Sequence, residues 1–194
     1  MKLNFNWILH LLPLLLLTLF VTGAMSLFQN IFPLDLTNLG IIRPTLADSR
    51  VASLITIKLI LLAILQWPVG YLISDLNSSY KFRLCLISLL IGFIILSLSN
   101  FFINGYILIL IAYISLTISL SVFLPSASDT IKKSSPISNR GNTILIYSQC
   151  LGIGSLTLPW IAGRLIDKHG TAIKVYLLAC IFCILLLPIC KNIK

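Results

Sequence analysis

The sequence predicts an all-α, polytopic membrane protein with about six transmembrane helices, arranged as two inverted three-helix repeats. Of its 194 residues, 58% are hydrophobic and only 10% are charged, whereas about a quarter of the residues in a soluble domain are charged. The mean hydropathy is +1.05. Six apolar stretches approach the roughly 20 residues that span a bilayer. A short pattern that closes the second stretch returns at the close of the fifth.

The first three apolar stretches are separated by segments rich in charged and turn-forming residues. The first, Trp7–Phe28, begins like a signal peptide, with Lys2 before it and small residues after its most apolar part. The apolar stretch continues to Phe28, and five more stretches follow, so we expect a transmembrane helix and no cleavage. Val51–Ser74 follows the polar segment 33–50, and Leu84–Ser99, the shortest stretch, follows the charged segment 75–83.

The last three stretches follow the same plan. Gly105–Leu124 carries no charge, and Thr143–Ile166 and Ala172–Cys190 complete the series. The segments 100–104, 125–142 and 167–170 separate them. The whole chain, residues 1–194, is therefore predicted to form a single six-helix transmembrane bundle, with one repeat at about residues 1–100 and the other at about residues 101–194.

Basic residues predominate, and their placement predicts both partner and orientation. Fourteen Lys and Arg against five acidic residues give a net charge of +9. They lie in short gaps between apolar stretches, as in membrane loops, and not beside aromatic residues on one face, as in a nucleic-acid-binding protein. We therefore expect a lipid bilayer and no nucleic acid as partner. The positive-inside rule favours a cytoplasmic N-terminus in a plasma (inner) membrane. That orientation places Lys2, Lys81, Arg83, Lys132, Lys133, Arg140, Lys191 and Lys194 inside, against Arg43, Arg50, Arg164, Lys168 and Lys174 outside.

No arrangement of residues indicates an enzyme, a cofactor site or a metal site. The pair Cys180-x-x-Cys183 has the spacing of a redox or metal site. Neither a second pair nor a His at ligand spacing accompanies it, which favours cysteine as small apolar filler on a membrane helix. We predict no catalytic activity, no cofactor and no metal.

Internal repetition is the most informative feature of the chain. The second stretch closes on Trp67-Pro-Val-Gly70-Tyr-Leu72-Ile-Ser-Asp75, and the fifth on Trp-Ile-Ala-Gly163-Arg-Leu-Ile-Asp167. Positions 70 and 163 are 93 residues apart, about half the chain. Three spans per repeat is an odd number, so the second repeat must be inverted in the bilayer relative to the first, as in secondary transporters.

These motifs resemble one six-helix half of a major facilitator superfamily transporter. That family has the loop motif Gly-x-Leu-x-Asp-Arg-x-Gly-Arg-Arg between its second and third helices. Here Gly70, Leu72, Asp75, Lys81 and Arg83 occupy the corresponding stretch, with Asp75 one residue late. An Arg-Gly pair before the fifth helix and a Gly-Pro-Gly pattern within it also match, at Arg140-Gly141 and at Gly154, Pro159 and Gly163.

The resemblance implies transport of a small solute by alternating access. Complete members of the family have about twelve helices, so this chain would act with a second six-helix half or as a homodimer. The basic residue that many proton-coupled members carry in the fourth helix is absent here. That absence favours the alternative, a non-transporting membrane scaffold or an inert fragment of a longer transporter gene.

The loop-motif residues each allow two interpretations. Gly70 and Gly163 are either hinges of a gate or sites of close helix packing. Asp75 with Lys81 and Arg83 forms either a cytoplasmic charge latch or a solvated loop, and Asp129 with Arg140 allows the same choice at the next cytoplasmic loop. Asp167 takes the place of Asp75 in the second repeat. We assign Gly152, Gly154 and Pro159 to helix packing.

Polar side chains inside the spans, or close after the end of the first span, are candidates for the solute pathway. Lys58 is the one formal charge well inside a span. It is either a site cation, paired with Asp35 or Asp48, or a side chain that reaches out to the membrane surface. The other polar positions either line the pathway or form hydrogen bonds between helices. They are Gln29, Asn30, Asp35, Gln66, Tyr147 and Gln149.

Overall fold

The computed structural model describes residues 6–37, 41–135 and 139–193, and every regular element in these ranges is helical. Six regions are long and apolar enough to cross a membrane, which confirms the predicted all-α class and the number of spans. Lys2 and Lys194, which entered the orientation prediction, lie outside the described residues. The helices are α1 (Asn6–Thr37), α2 (Asp48–Ile73), α3 (Ser78–Ser99), α4 (Gly105–Ser134), α5 (Arg140–His169) and α6 (Ile173–Leu186), and a short 3-10 helix covers Ile189–Asn192.

Most helices extend beyond the predicted spans, because charge marks the edge of the hydrocarbon and not the end of the backbone hydrogen bonds. Thus α3 begins at Ser78, ahead of Leu84, and α4 continues through Pro125 to Ser134. The exception is α6, which ends at Leu186 instead of Cys190. Pro188 follows the C-cap residue Leu187, and its missing N–H and fixed ring do not continue a helix.

The turns between helices collect at two ends of the bundle. One end, here called the distal end, is formed by residues 41–47, 100–104 and 170–172, where the amides of Ile42 and Arg43 donate to the Asn100 carbonyl at 2.9 and 3.3 Å. The other, the proximal end, is formed by residues 74–79, 129–135 and 187–193, where Lys81, Lys133 and Ile193 border one groove. Successive helices therefore run in opposite directions through the bundle.

Burial differs sharply among the helices. Within the most apolar 18-residue stretch of each helix, 67% is buried in α1, compared with 17% in α2 and 6% in α5. Helix α1 packs mainly on α5, α2 packs on α4, and α3 lies between α4 and α6. The exposed faces of α2 and α5 carry large apolar side chains, including Trp67, Leu72 and Trp160 at 80%, 75% and 60% exposure. These two helices thus offer most of their surface to lipid or to another protein.

An aromatic cluster fills the centre of the bundle. Phe32 of α1 meets Tyr113 of α4 edge to face, with ring centroids 5.2 Å apart, and Phe28 lies 5.9 Å from the same tyrosine. Phe93 of α3 and Tyr176 of α6 stack at 6.3 Å. Aromatic pairs at these separations each contribute about 0.5–1.5 kcal/mol beyond their burial. The cluster joins four helices just beneath the distal end.

Candidate functional site

A buried ion pair lies at the distal end. Asp35, in the last turn of α1, and Arg43, in the segment that follows, are 3% and 1% exposed. The Arg43 Nη2 donates to the Asp35 main-chain carbonyl at 2.8 Å and approaches the carboxylate Oδ2 at 3.4 Å. Residues 41–47 therefore lie over the end of α1 and bring the guanidinium to one of its last carbonyls, where the helix dipole favours a cation.

Helix α6 completes the surroundings of this carboxylate. The Tyr176 hydroxyl donates to Asp35 Oδ2 at 2.9 Å, and the main-chain N–H of Ala172 donates to Oδ1 at 3.2 Å. Ala172 is the N-cap of α6, so the carboxylate lies where the helix dipole stabilises negative charge. Both oxygens are satisfied, and α1 is bonded to α6 through groups far apart in sequence.

Helices α3 and α4 enclose the same arginine. The main-chain N–H of Arg43 donates to the Asn100 carbonyl at the end of α3. Gly105 is the first residue of α4, and a Cβ there would overlap the Ser99 carbonyl and crowd the Arg43 Cδ. The Nε and Nη1 atoms of Arg43 have no hydrogen-bond partner within the described ranges. We call Asp35, Arg43, Asn100, Ala172 and Tyr176 the distal cluster. It connects α1, α3 and α6 at one end of the bundle.

Lys58 lies apart from this cluster. Its side chain is 9% exposed, and its Nζ lies over the ring of Phe28 at 5.5 Å from the centroid. The pairing with Asp35 or Asp48, one of the two interpretations of Lys58, is not formed in this structure. Phe28 is seven residues before Asp35, or about 10 Å deeper along α1 at 1.5 Å per residue, and Asp35 already binds Arg43. Asp48 lies ten residues before Lys58 on the same helix, about 15 Å away along the axis.

The loop-motif residues do not form ion pairs. Asp75 accepts from the Ser74 hydroxyl at 3.2 Å, while the Lys81 Nζ donates to the Ser74 carbonyl at 3.2 Å and the Arg83 guanidinium lies over the Tyr80 ring. In the parts of the chain that the structure describes, ion pairs within 4.0 Å are those of Asp35 and Asp129. A closed latch at Asp75 is therefore not present in this conformation.

Asp129 pairs within its own helix. Its Oδ2 lies 2.7 Å from the Nζ of Lys133, one turn later in α4, and both side chains are well exposed. The suggested pairing with Arg140 is not formed, because Arg140 begins α5 and is exposed. An exposed pair at this spacing contributes only about 0.3–0.5 kcal/mol.

The other polar candidates are scattered. Gln29, Gln66 and Gln149 are exposed on α1, α2 and α5, and Tyr147 is half-buried. Asn30 donates to the Ser26 hydroxyl within α1 at 3.1 Å. Of these residues, Gln29 and Asn30 directly follow Phe28 in the sequence. The ring of Phe28 lies under the Lys58 ammonium group. The structure does not gather these residues into one enclosed site, and their exposure leaves them available to a ligand or a second protein.

The candidate glycines fall into two groups. Gly154 is buried where α5 crosses α1, and a Cβ there would overlap the Leu19 carbonyl and the Thr22 hydroxyl. Gly152, two residues earlier and so about 200° around the helix, is exposed and faces open space. Gly70 and Gly163 also have nothing within 4 Å of an added Cβ. Close packing within this chain therefore explains Gly154 and not the other three.

The remaining motif positions lie on the same exposed helices. Pro159 lies inside α5 and is half-buried, Leu72 is 75% exposed near the end of α2, and Asp167 is exposed in the last turn of α5. Asp167 is thus at the distal end and Asp75 at the proximal end. The two copies of the repeated pattern end at opposite ends of the bundle.

Sequence reasoning did not single out Arg43, Tyr176 or Gly23 as functional residues. Arg43 was counted only as a loop charge, although its position eight residues after Asp35 was a usable signal for an ion pair. Gly23 meets Gly154 at the α1–α5 crossing, where a Cβ would overlap the Gly154 carbonyl and Leu158. Its pairing with a glycine 131 positions later became visible only in the fold.

The cysteines offer no metal site among the described residues. All five are free thiols, and four of them are buried. Cys85 lies 3.1 Å from the Ser119 hydroxyl, which joins α3 to α4. Cys180 and Cys183 pack in the apolar core.

Family models, curated proteins and solved structures give no match to this chain. Its function is therefore argued from its own residues: a buried distal cluster in which both Asp35 carboxylate oxygens accept hydrogen bonds, a lysine over the ring of Phe28, and two weakly buried helices.

Proposed function

We propose that this chain is one six-helix half of a transporter of the major facilitator type, which moves a small solute by alternating access. The observation that carries the proposal is the repeat of Trp-x-x-Gly-x-Leu-Ile before an aspartate, with the two aspartates at opposite ends of the bundle. Inverted three-helix repeats with a solute site near the bilayer midplane are typical of such transporters.

Prolines inside the helices support the repeat. Pro33 in α1 and Pro125 in α4 are 92 positions apart, and Pro68 in α2 and Pro159 in α5 are 91 apart. These spacings are one and two positions shorter than the 93 positions between the repeated glycines. An interior proline costs a helix about 3 kcal/mol or more, so matching prolines in two helix pairs favour a common origin for the two halves of the chain.

Helix packing gives partial support. Exchanging α1 with α4 and α2 with α5 converts the α1–α5 contact into the α4–α2 contact, and the α3–α6 contact maps onto itself. The broad contact of α3 with α4 has only a slight counterpart between α6 and α1. The two repeats therefore share their main helix pairings but differ in one of them: α3 packs closely on α4, whereas α6 barely contacts α1.

The exposed faces of α2 and α5 indicate where a second half would bind. Gly70, Gly152 and Gly163 are small residues that face no neighbour in this chain, and Gln66 and Gln149 are amides exposed in spans. Small residues and side-chain amides are enriched where membrane helices pack together. A second copy of the chain, or a separate six-helix half, would cover them. We place the proximal end in the cytoplasm of an inner or plasma membrane, following the distribution of basic residues.

Uptake into vesicles tests the proposal. Purified dimers, reconstituted into liposomes, are expected to take up at least one member of a panel of small organic anions, cations and neutral solutes in a saturable manner. The panel is measured under proton, sodium and potassium gradients. Dimers that take up no solute under any of these gradients would contradict transport.

A non-transporting scaffold is the second candidate. The unpaired Asp75 and the absence of charge in Gly105–Leu124 favour it, because rocking transporters use such charges to hold one state or to couple to protons. A scaffold would show the same dimer but no solute uptake.

A further inference from the structure

Lys58 lies well inside the predicted membrane span of α2. It is seven residues after Val51, where that span begins, which is about 10 Å along the helix axis at 1.5 Å per residue. The hydrocarbon core is about 30 Å thick, so this position is at the depth of the acyl chains. Lysines that reach the membrane surface lie near helix ends, whereas the Lys58 side chain is nine-tenths buried and its Nζ lies over Phe28.

No acidic residue of this chain neutralises Lys58. The chain has five acidic residues, all of them aspartates and all described. Asp35 is bonded to Arg43 and Tyr176, and Asp129 to Lys133. The other three, Asp48, Asp75 and Asp167, lie at or beyond the helix ends. A charged side chain in a membrane is normally paired with another charge or with carbonyls, and among the described residues Lys58 has neither an ion pair nor a hydrogen bond. A ligand is therefore a candidate for its partner.

The surroundings of Lys58 favour a ligand over an ordinary ion pair with another protein. Its buried neighbours on α2, Val51 and Leu54, share one stripe with it and face the bundle interior. The ring of Phe28 covers one side of the ammonium, and Tyr113 lies 5.9 Å from that ring. An ammonium over an aromatic face keeps N–H groups directed away from the ring, where they can donate to an oxygen anion. Aromatic side chains near a cation suit a ligand that combines an anionic group with an apolar body.

We propose that Lys58 binds the anionic group of a small organic anion, a carboxylate or a phosphate monoester, with the Phe28 ring beside its apolar part. The proposal rests on the proposed function only for the statement that this anion is the transported solute. A lipid headgroup is not the ligand, because Lys58 lies at the depth of the acyl chains. The anion supplies the counter-charge that the chain itself lacks.

Equilibrium binding to the purified protein in detergent tests the proposal. The probes are radiolabelled benzoate and phenyl phosphate, with neutral benzamide and cationic benzylamine as competitors. We expect saturable binding of at least one anion, competed by the other anion and by neither control compound. Lys58→Gln and Lys58→Met should weaken binding at least about tenfold, the consequence of removing one member of a buried charge pair. Lys58→Arg should keep most of the affinity.

The matched control is Lys174→Gln, which removes an exposed lysine at the distal end and should leave binding unchanged. Size-exclusion chromatography shows which variants are folded. Absence of saturable binding of both anions by the wild-type protein overturns the proposal, as does equal binding by folded Lys58→Gln or Lys58→Met. Should both variants fail to fold, competition on the wild-type protein decides: displacement of benzoate by benzamide as effectively as by phenyl phosphate rejects a charge-based site.

Uptake by reconstituted vesicles separates this proposal from the proposed function. Anion binding that depends on Lys58, without uptake of any solute, supports the site and contradicts transport. Saturable uptake of a neutral or cationic solute, unchanged by Lys58→Gln, supports transport and overturns the anion site.

Discussion

Replacing Asp35 by alanine is expected to lower the free energy of unfolding by about 3–5 kcal/mol, the cost of leaving one member of a buried ion pair without its partner. The substitution removes the carboxylate that receives the Tyr176 hydroxyl, the Ala172 amide and Arg43. The guanidinium, 1% exposed, would then keep only the Asp35 main-chain carbonyl as partner. Titration of the purified protein with a denaturing detergent, followed by circular dichroism, measures the change.

Two further variants show whether the unpaired charge causes the loss. Tyr176→Phe removes one hydrogen bond to the same carboxylate and should cost only about 1.5–3 kcal/mol. The double variant Asp35→Leu with Arg43→Met removes both charges, and its loss should be smaller than that of Asp35→Ala, because apolar residues often replace a buried pair at little cost. Equal losses for the single and double variants would show that the pair does not act through its charge.

Gly154→Ala is expected to destabilise the protein by about 1–3 kcal/mol, the usual cost of overpacking. The added Cβ would overlap the Leu19 carbonyl and Thr22 of α1. A backbone oxygen cannot move unless its whole helix moves, so α1 and α5 would have to separate. Alanine is the better helix former by about 1 kcal/mol, and the packing cost must exceed that gain.

Gly152→Ala is the matched control, because the same substitution in the same helix faces open space. It should leave stability unchanged or raise it by up to about 1 kcal/mol. Thermal unfolding of both purified variants, followed by tryptophan fluorescence, provides the comparison. If both substitutions stabilise the protein, the close approach of α1 and α5 at Gly154 is not part of the folded state.

The spans were predictable because lipid imposes a strong requirement on composition. A stretch such as Gly105–Leu124 without charge has few stable alternatives to a membrane helix. Helix ends were less predictable: polar residues 78–83 leave the hydrocarbon but continue the hydrogen bonds of α3. Charge shows where the membrane ends, and backbone geometry decides where the helix ends.

The distal cluster could not be predicted from sequence, since Asp35 meets groups 137 and 141 residues away. In the sequence Asp35 was one of three polar residues near the end of the first span, and Lys58 was its suggested partner. In the fold its partner is Arg43, because residues 41–47 lie over the end of α1. The charge latch at Asp75, one of the two interpretations of this loop, is not formed in this structure, because Lys81 donates to the Ser74 carbonyl and not to the carboxylate.

Side-specific labelling of Asp75→Cys and Asp167→Cys tests most directly whether the two repeats cross the membrane in opposite directions. The chain's own cysteines are buried or lie within α5, so the parent protein measures the background. A membrane-impermeant maleimide should modify the cysteine at position 167 in intact cells and the one at position 75 only after the cells are opened. Modification of both positions from the same side would contradict the inverted arrangement on which the transporter proposal depends.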